Sequence, residues 1–243
     1  MTAKMFGTGT FSVSHSHIRD NDSWVEGGGV FVVGGTVTLS HVLLTANRAL
    51  EEGGALYLNT GKLLLQNAVL TNNKSSGSCG GIYAEPNTEV TIEGSILAYN
   101  QGYQVCLTPE HSFQTQWSVY YHPEEKLLLN ASLVEYPNNL IQEPGFLTYD
   151  SAQYPLNHRL SSVSPIRDYS GKECVAPHDA PCDPGLFGGP AGAGWDLDGD
   201  GIPAYFWPGP YDPVLLGIEP SAFDCDDTDP HVPAEGMECL LSH

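Results

Sequence analysis

Apolar and polar residues alternate in short runs along the first hundred positions, and the runs recur. Four gapless segments of eleven residues align: FSVSHSHIRDN (11–21), VTLSHVLLTAN (37–47), LLLQNAVLTNN (63–73) and VTIEGSILAYN (90–100), with starts 26, 26 and 27 residues apart. Each of the first three is followed by a glycine pair, Gly27-Gly28, Gly53-Gly54 and Gly80-Gly81, and then by a short apolar strand, GVFVV, ALYLN or IYAEP. Helix-period patterning is absent. A period of this size marks units that stack on one another. Short β-branched runs between Gly and Asn turns make each unit a coil of strands rather than a helical hairpin. The expected fold is all-β, a right-handed parallel β-helix, followed by a small loop-rich acidic segment.

The alignment assigns side chains to columns. Position one (Phe11, Val37, Leu63, Val90), position three (Val13, Leu39, Leu65, Ile92) and position eight (Ile18, Leu44, Leu70, Leu97) should stack as apolar columns inside the coil. The closing Asn21, Asn47, Asn73 and Asn100 should form a ladder of side-chain amides that satisfies turn backbone. Position five reads His15, His41, Asn67, Gly94. Two histidines one rung apart suggest a metal, but His, Asn and Gly all tolerate left-handed backbone, so a turn explains all four with one cause.

Beyond residue 103 the pattern degrades. FQTQWSVYYHP (113–123) fits as a fifth, imperfect turn with Trp117 at the turn position, and the segment to residue 172 gives short strands without a clear period. Trp117, Tyr120 and Tyr121, with His122 beside them, are a candidate carbohydrate-stacking face, set against a cap or core edge. Cys79 and Cys106 each lie six residues after a ladder asparagine. Strands about 4.8 Å apart fall within the ~4.4–6.8 Å Cα separation of a disulfide, so these two should clip adjacent rungs, worth roughly 3 kcal/mol by loop entropy.

Charge changes the picture at the far end. The 243 residues carry 9 Lys and Arg against 29 Asp and Glu, a net of -20. Residues 173–243 hold 14 of those acids and no Lys or Arg, yet Trp195, Tyr205, Phe206, Trp207 and Tyr211 are interspersed, which is too apolar for a solvating tail. With so few cations, nucleic acid and anionic membranes are poor partners. No run is long enough to span a membrane. Six cysteines suit an oxidising compartment, while the start MTAKMFGTGT has no signal-peptide core. Together these suggest a mature or truncated piece of an exported protein, extracellular or on the outer cell surface. An exposed strand edge near residue 7 would invite edge-to-edge self-association.

The glycine pairs (GGGV, GGAL, GGIY) and the tetrads IRDN, LTAN, LTNN and LAYN resemble the repeats of polymorphic outer-membrane proteins and bacterial β-helix adhesins. SPIRDYSG…CDPGLFGGPAG (164–192) is similar to the closing signature of exported bacterial right-handed β-helix repeat proteins. DLDGDG…DCDDTDPHVPAEGMEC (196–239) is similar to the MopE-like metal-binding motif of bacterial surface proteins, with Asp196, Asp198, Asp200, Gly201, Asp224, Cys225, Asp226, Asp227, Asp229, Pro230 and Glu235 on its pattern. These resemblances imply two units, a β-helix over 1–192 and a metal-binding segment over 193–243.

The residues themselves also support a cation. Asp196, Asp198 and Asp200 before Gly201 have the spacing of the first half of a calcium loop, where oxygens converge and Gly permits the turn. An EF-hand would end on a bidentate Glu where Trp207 stands, so the remaining oxygens must come from elsewhere. Asp224, Asp226, Asp227 and Asp229 are the natural donors, with Glu235 or the Ile202 carbonyl assisting. Calcium takes six to eight oxygens. No Cys/His quartet favours zinc, and copper, which the resemblance allows, would find only His178 and His231 as soft ligands. Cys174 with Cys182 and Cys225 with Cys239 are the simplest remaining pairings, though spacing leaves other connectivities open.

Parallel β-helices also include polysaccharide lyases and glycoside hydrolases. A lyase needs a basic residue beside wall carboxylates, and Arg19 and Arg48 fall at different repeat positions. A hydrolase needs paired carboxylates across a groove, and Asp20 and Asp22 have no evident partners. The favoured reading is a non-catalytic surface adhesin or scaffold with a structural calcium site and a surface glycan or protein as partner. A β-helix polysaccharide enzyme or a copper-binding surface protein is the alternative.

Overall fold

Alternating residues send every second side chain inward, and glycine or asparagine every few residues lets the strand turn a corner. The chain therefore winds into a coil instead of running on as a flat ribbon. The computed structural model describes residues 3–146, Leu160, residues 164–167, Tyr169 and residues 184–185. It shows a parallel β-solenoid of about five turns. The first coil holds β1 (Ala3–Phe6), β2 (Thr10–Arg19) and β3 (Asp22–Ser23), and the second holds β4 (Val30–Thr45) and β5 (Arg48–Ala49). The third holds β6 (Leu56–Gln66), β7 (Val69–Thr71) and β8 (Lys74–Ser75), and the fourth β9 (Ile82–Ala84), β10 (Thr88–Glu93) and β11 (Ile96–Ala98). The fifth holds β12 (Val105–Leu107), β13 (Ser112–Gln116) and β14 (Val119–Tyr121). β15 (Leu128–Leu129), a 3₁₀ turn over Leu133–Glu135 and β16 (Leu140–Ile141) follow.

Every rung pairs in parallel with the next, and the register is the one the repeat dictates. Phe11, Val37, Leu63, Val90 and Phe113 stack in one column, and Val13, Leu39, Leu65, Ile92 and Thr115 in the second. Ile18, Leu44, Leu70, Leu97 and Tyr120 make the third. From the second coil to the fourth these residues are fully buried or nearly so. The glycine pairs sit where coils press backbone on backbone: a Cβ at Gly54 would run into the carbonyl oxygens of Lys74 and Gly80.

The fifth coil is shorter. Val90 lies opposite Phe113 and Ile96 opposite Val119, so the step falls to 23 residues, the separation of the Ser95–Ser118 hydrogen bond, from the 26 that separates Asn21 from Asn47. Its interior also turns polar at two facing positions. The Tyr120 hydroxyl, buried in the third column, meets the Thr115 hydroxyl of the second at 2.7 Å, and Thr115 also donates to Asn139 at 3.1 Å. A buried phenol needs such a partner. Leu127, Leu128, Ala131, Leu133 and Tyr136 then pack over the core at this end.

A second apolar cluster lies outside the coil. Leu43, Val69, Ile96 and Val119 point outward from β4, β7, β11 and β14, yet all four are buried, because Phe146 and Ile166 pack over them. The Gly185 amide donates to the Gly94 carbonyl at 2.7 Å on the same side. Ile166 and Gly185 thus seat on the outer wall of the solenoid.

Candidate functional site

The asparagine ladder is the most developed polar feature of the described residues. Each Nδ2 donates to the Oδ1 of the next coil's asparagine, at 2.9 Å from Asn21 to Asn47, 3.0 Å from Asn47 to Asn73 and 2.8 Å from Asn73 to Asn100. The same Oδ1 atoms accept the backbone N–H of the asparagine one coil back, at 3.2, 3.0 and 3.0 Å. The remaining amide hydrogens reach back to carbonyls of Ile18, Leu44 and Leu70. Asn100 closes the run on the buried Gln104 at 2.7 Å. The ladder satisfies turn backbone throughout, which is a structural role.

Position five is a turn column. His15, His41, Asn67, Gly94 and Trp117 all have φ between 45° and 53°. The His15 and His41 rings stack face to face at 4.9 Å, and His41 Nε2 meets Asn67 Nδ2 at 3.3 Å. Stacked rings point their nitrogens side by side and do not converge on one ion. Among the described residues no group of three or more His, Cys, Asp or Glu could hold a metal.

The aromatic face foreseen at Trp117, Tyr120 and Tyr121 does not form as a unit. Tyr120 is 0% exposed, a core side chain with its hydroxyl on Thr115. Trp117 lies edge-on to Tyr169 at 6.1 Å, and Tyr121 edge-on to Tyr99 at 5.2 Å. Tyr120 stands at position eight of the imperfect fifth turn and continues the Leu97 column inward, while Tyr121 packs against the outer cluster.

A different aromatic column stands on the outer wall. Phe31, Tyr57 and Tyr83 stack at 5.4 and 5.3 Å with planes within 5° of parallel, and Phe6 adjoins at 6.3 Å. The regular spacing of Phe31, Tyr57 and Tyr83 was the available signal for this column. Because the rings cover one another's faces, they offer edges to solvent, and the stack serves as a strut instead of a sugar platform. Tyr57 donates to Glu85 at 2.5 Å, while Glu52 accepts the Ser78 and Cys79 amides at 2.9 and 2.8 Å. Burial, then the Glu85 carboxylate, pushes the Tyr57 hydroxyl well above the ordinary phenol range, and burial with Glu85 and Glu52 raises Tyr83. Burial likewise raises Tyr120.

Such phenols carry a pH signature. A folded pKa above the unfolded value of about 10 leaves stability intact below pH ~10 and removes it as pH climbs through the folded values. The melting temperature is therefore expected to fall steeply above pH ~10, with phenolate absorbance rising at the transition. Tyr57→Phe should make that fall shallower; an unchanged slope would show that Tyr57 does not contribute.

Cys79 and Cys106 form a disulfide with Cα atoms 6.0 Å apart. The pairing holds, but not for equivalent positions: Cys106 lies opposite Tyr83, and Cys79 opposite Gly102. Val105 follows Asn100 more closely than Ile82 follows Asn73, so the shortened coil brings Cys106 into the aromatic column and Cys79 reaches it diagonally.

The outer wall of β6, β10 and β13 is polar and self-paired. Lys62 bridges Glu89 at 2.7 Å, and Glu93 accepts from Gln66 at 3.0 Å and Gln116 at 2.7 Å. Asp20 lies 3.7 Å from Arg19, and Asp22 stands opposite Arg48 in the small β3–β5–β8 sheet. The proposed calcium oxygens at Asp196, Asp198, Asp200, Ile202, Asp224, Asp226, Asp227, Asp229 and Glu235, and the cysteines Cys174, Cys182, Cys225 and Cys239, lie outside the described residues. Comparison of the chain with protein-family models, with curated proteins and with solved structures finds no significant match.

Proposed function

We propose that the protein is an exported, cell-surface scaffold: a rigid β-solenoid whose polar wall faces a surface glycan or protein, and whose Asp-rich C-terminal segment binds calcium for structural stabilisation. The Cys79–Cys106 disulfide carries the first half of this reading. A bond clipping successive coils persists where thiols are oxidised, outside the cytosol. The outer charges support the second part, because Lys62, Glu89, Gln66, Glu93 and Gln116 are spent on one another along the wall. Such a surface recognises by shape and repeat.

The calcium assignment rests on the spacing of Asp196, Asp198 and Asp200 before Gly201 and on the acids from Asp224 to Asp229, in a stretch with no Lys or Arg to neutralise them. Calorimetric titration of the chelator-stripped chain, with melting followed in parallel, tests it. Saturable calcium binding that raises the melting temperature is expected, by about 2.7 kcal/mol of stabilisation at a hundredfold excess over Kd. Asp198→Ala should abolish both. Tight copper(II) binding with silence towards calcium would redirect the reading to copper, and silence towards both would remove the metal altogether.

A further inference from the structure

Three Asn-x-Ser triplets lie in the chain, Asn21-Asp22-Ser23, Asn73-Lys74-Ser75 and Asn130-Ala131-Ser132. Each has the acceptor pattern for an N-linked sugar, and such acceptors belong on surface loops of secreted proteins. Two of the three asparagines stand in the ladder instead. Sugar transfer replaces one Nδ2 hydrogen by a bond to the anomeric carbon of the sugar. The bond from that carbon to its lipid diphosphate breaks, and the displaced proton balances the diphosphate released. One Nδ2 hydrogen remains, so the hydrogen bonds already made by each amide decide what it tolerates. Asn73 is fully buried, and its two Nδ2 hydrogens serve Leu44 O, Thr71 O and Asn100 Oδ1. A sugar there strips a partner from a buried carbonyl and finds no room in a packed coil. Asn130 is exposed, has φ 64° and gives an Nδ2 hydrogen to the Leu107 carbonyl at 2.6 Å. The hydrogen that survives transfer is enough to keep that bond.

We infer that a sugar on Asn73 forbids the solenoid, so that this chain is exported by a route that adds no N-linked glycan, and that Asn130 is the acceptor at which the folded protein tolerates one. The inference rests on the exported reading given above. Burial does not protect Asn73 during synthesis, because its ladder partner Asn100 lies 27 residues further on. In a glycosylating lumen the acceptor therefore arrives before the group that shields it. Ser75 separates the triplet from the ladder. Its hydroxyl is buried without a hydrogen-bond partner, and Ala49 fills the matching place one coil back. Ser75→Ala thus deletes the acceptor pattern and leaves Asn73 and its bonds in place. Ser23→Ala, in the same column opposite Ala49, does the same for the Asn21 triplet and serves as the common background.

The test sends the full chain, behind a secretion leader, through the secretory lumen of a eukaryotic host and in parallel to a bacterial periplasm. Peptide mass spectrometry reads each triplet. In the lumen, chain modified at Asn73 should be retained, with amides of β7 and β8 unprotected from exchange. The secreted fraction should carry sugar at Asn130 and none at Asn73. Ser75→Ala should raise the secreted yield at least about threefold, as expected when a folding defect is relieved. Ser132→Ala should remove the Asn130 sugar with the yield unchanged. From the periplasm, chains with and without Ser75→Ala should melt alike, which shows that the gain in the lumen comes from the lost sugar. A folded chain bearing sugar on Asn73 overturns the inference. So does an Asn73 left bare in retained and secreted chain alike, a secreted chain bare at Asn130, or a Ser75→Ala yield no higher than its background. Free Cys79 and Cys106 thiols in the periplasmic chain would overturn the exported reading, and the inference with it, by a readout separate from the sugar.

Discussion

Replacing Asn73 with alanine is expected to lower the stability of the solenoid by about 3–5 kcal/mol, from the loss of several buried hydrogen bonds at once. Asn73 is 0% exposed and sits mid-ladder. Its Nδ2 donates to Leu44 O, Thr71 O and Asn100 Oδ1 at 2.9, 3.1 and 2.8 Å. Its Oδ1 accepts the Asn47 amide and Asn47 Nδ2, both at 3.0 Å. Alanine leaves a buried amide N–H and a buried carbonyl without the partners that replaced water, and each such orphan costs about 1–3 kcal/mol. Asn73→Asp keeps the shape and the acceptors but buries a charge and removes both donors, so it should be at least as damaging. Asn21→Ala, at the part-buried end of the same ladder, should cost only about 1 kcal/mol, since water can reach the groups left behind. Urea midpoints of the three variants, with the disulfide kept oxidised, check the ordering. Equal effects at Asn21 and Asn73 would mean that the ladder does not act through burial.

That contrast follows from a feature legible in the chain. The three inner columns and the asparagines could be assigned residue by residue because the period near 26 repeats every position against the same neighbours. An isolated strand gives no such redundancy. Position five was also readable, since His, Asn and Gly share one backbone tolerance, and Trp117 with φ 53° extends the column to a residue that steric preference alone would not choose. The pattern lost its grip where neighbours ceased to be equivalent. The shorter fifth coil broke the arithmetic that set Cys106 level with Cys79, although the bond itself formed. Tyr120 admits two readings as one of an aromatic cluster, ligand face or core edge, and its place opposite Leu97 makes it core. The buried outer cluster around Val69 and Ile96 depends on residues near 146 and 166 returning to the wall, a long-range contact that no local period encodes.

Reducing the Cys79–Cys106 disulfide is expected to lower stability by about 3–4 kcal/mol, because the bond closes a loop of 27 residues and removes that much entropy from the unfolded chain. The effect is of the size of a single core truncation, and it has a location. The bond joins the fourth coil to the fifth just where the ladder ends at Asn100 and Gln104 and where the step between coils shortens. Strand pairing there is shorter: β9 meets β12 and β11 meets β14 over three residues each and β10 meets β13 over five, whereas β4 meets β6 over nine. Stacked repeats are held by nearest-neighbour interfaces, so a weak interface lets the end of the array open before the rest. With the staple cut, exchange of amides in β12 to β14 should accelerate ahead of those in β4 and β6, and the melting transition should broaden or split. Cys79→Ser with Cys106→Ser should reproduce both results without reductant. A single sharp transition with uniform protection would show instead that the fifth coil is held by its own packing, through Tyr120 and Thr115, and that the disulfide acts only on the unfolded chain.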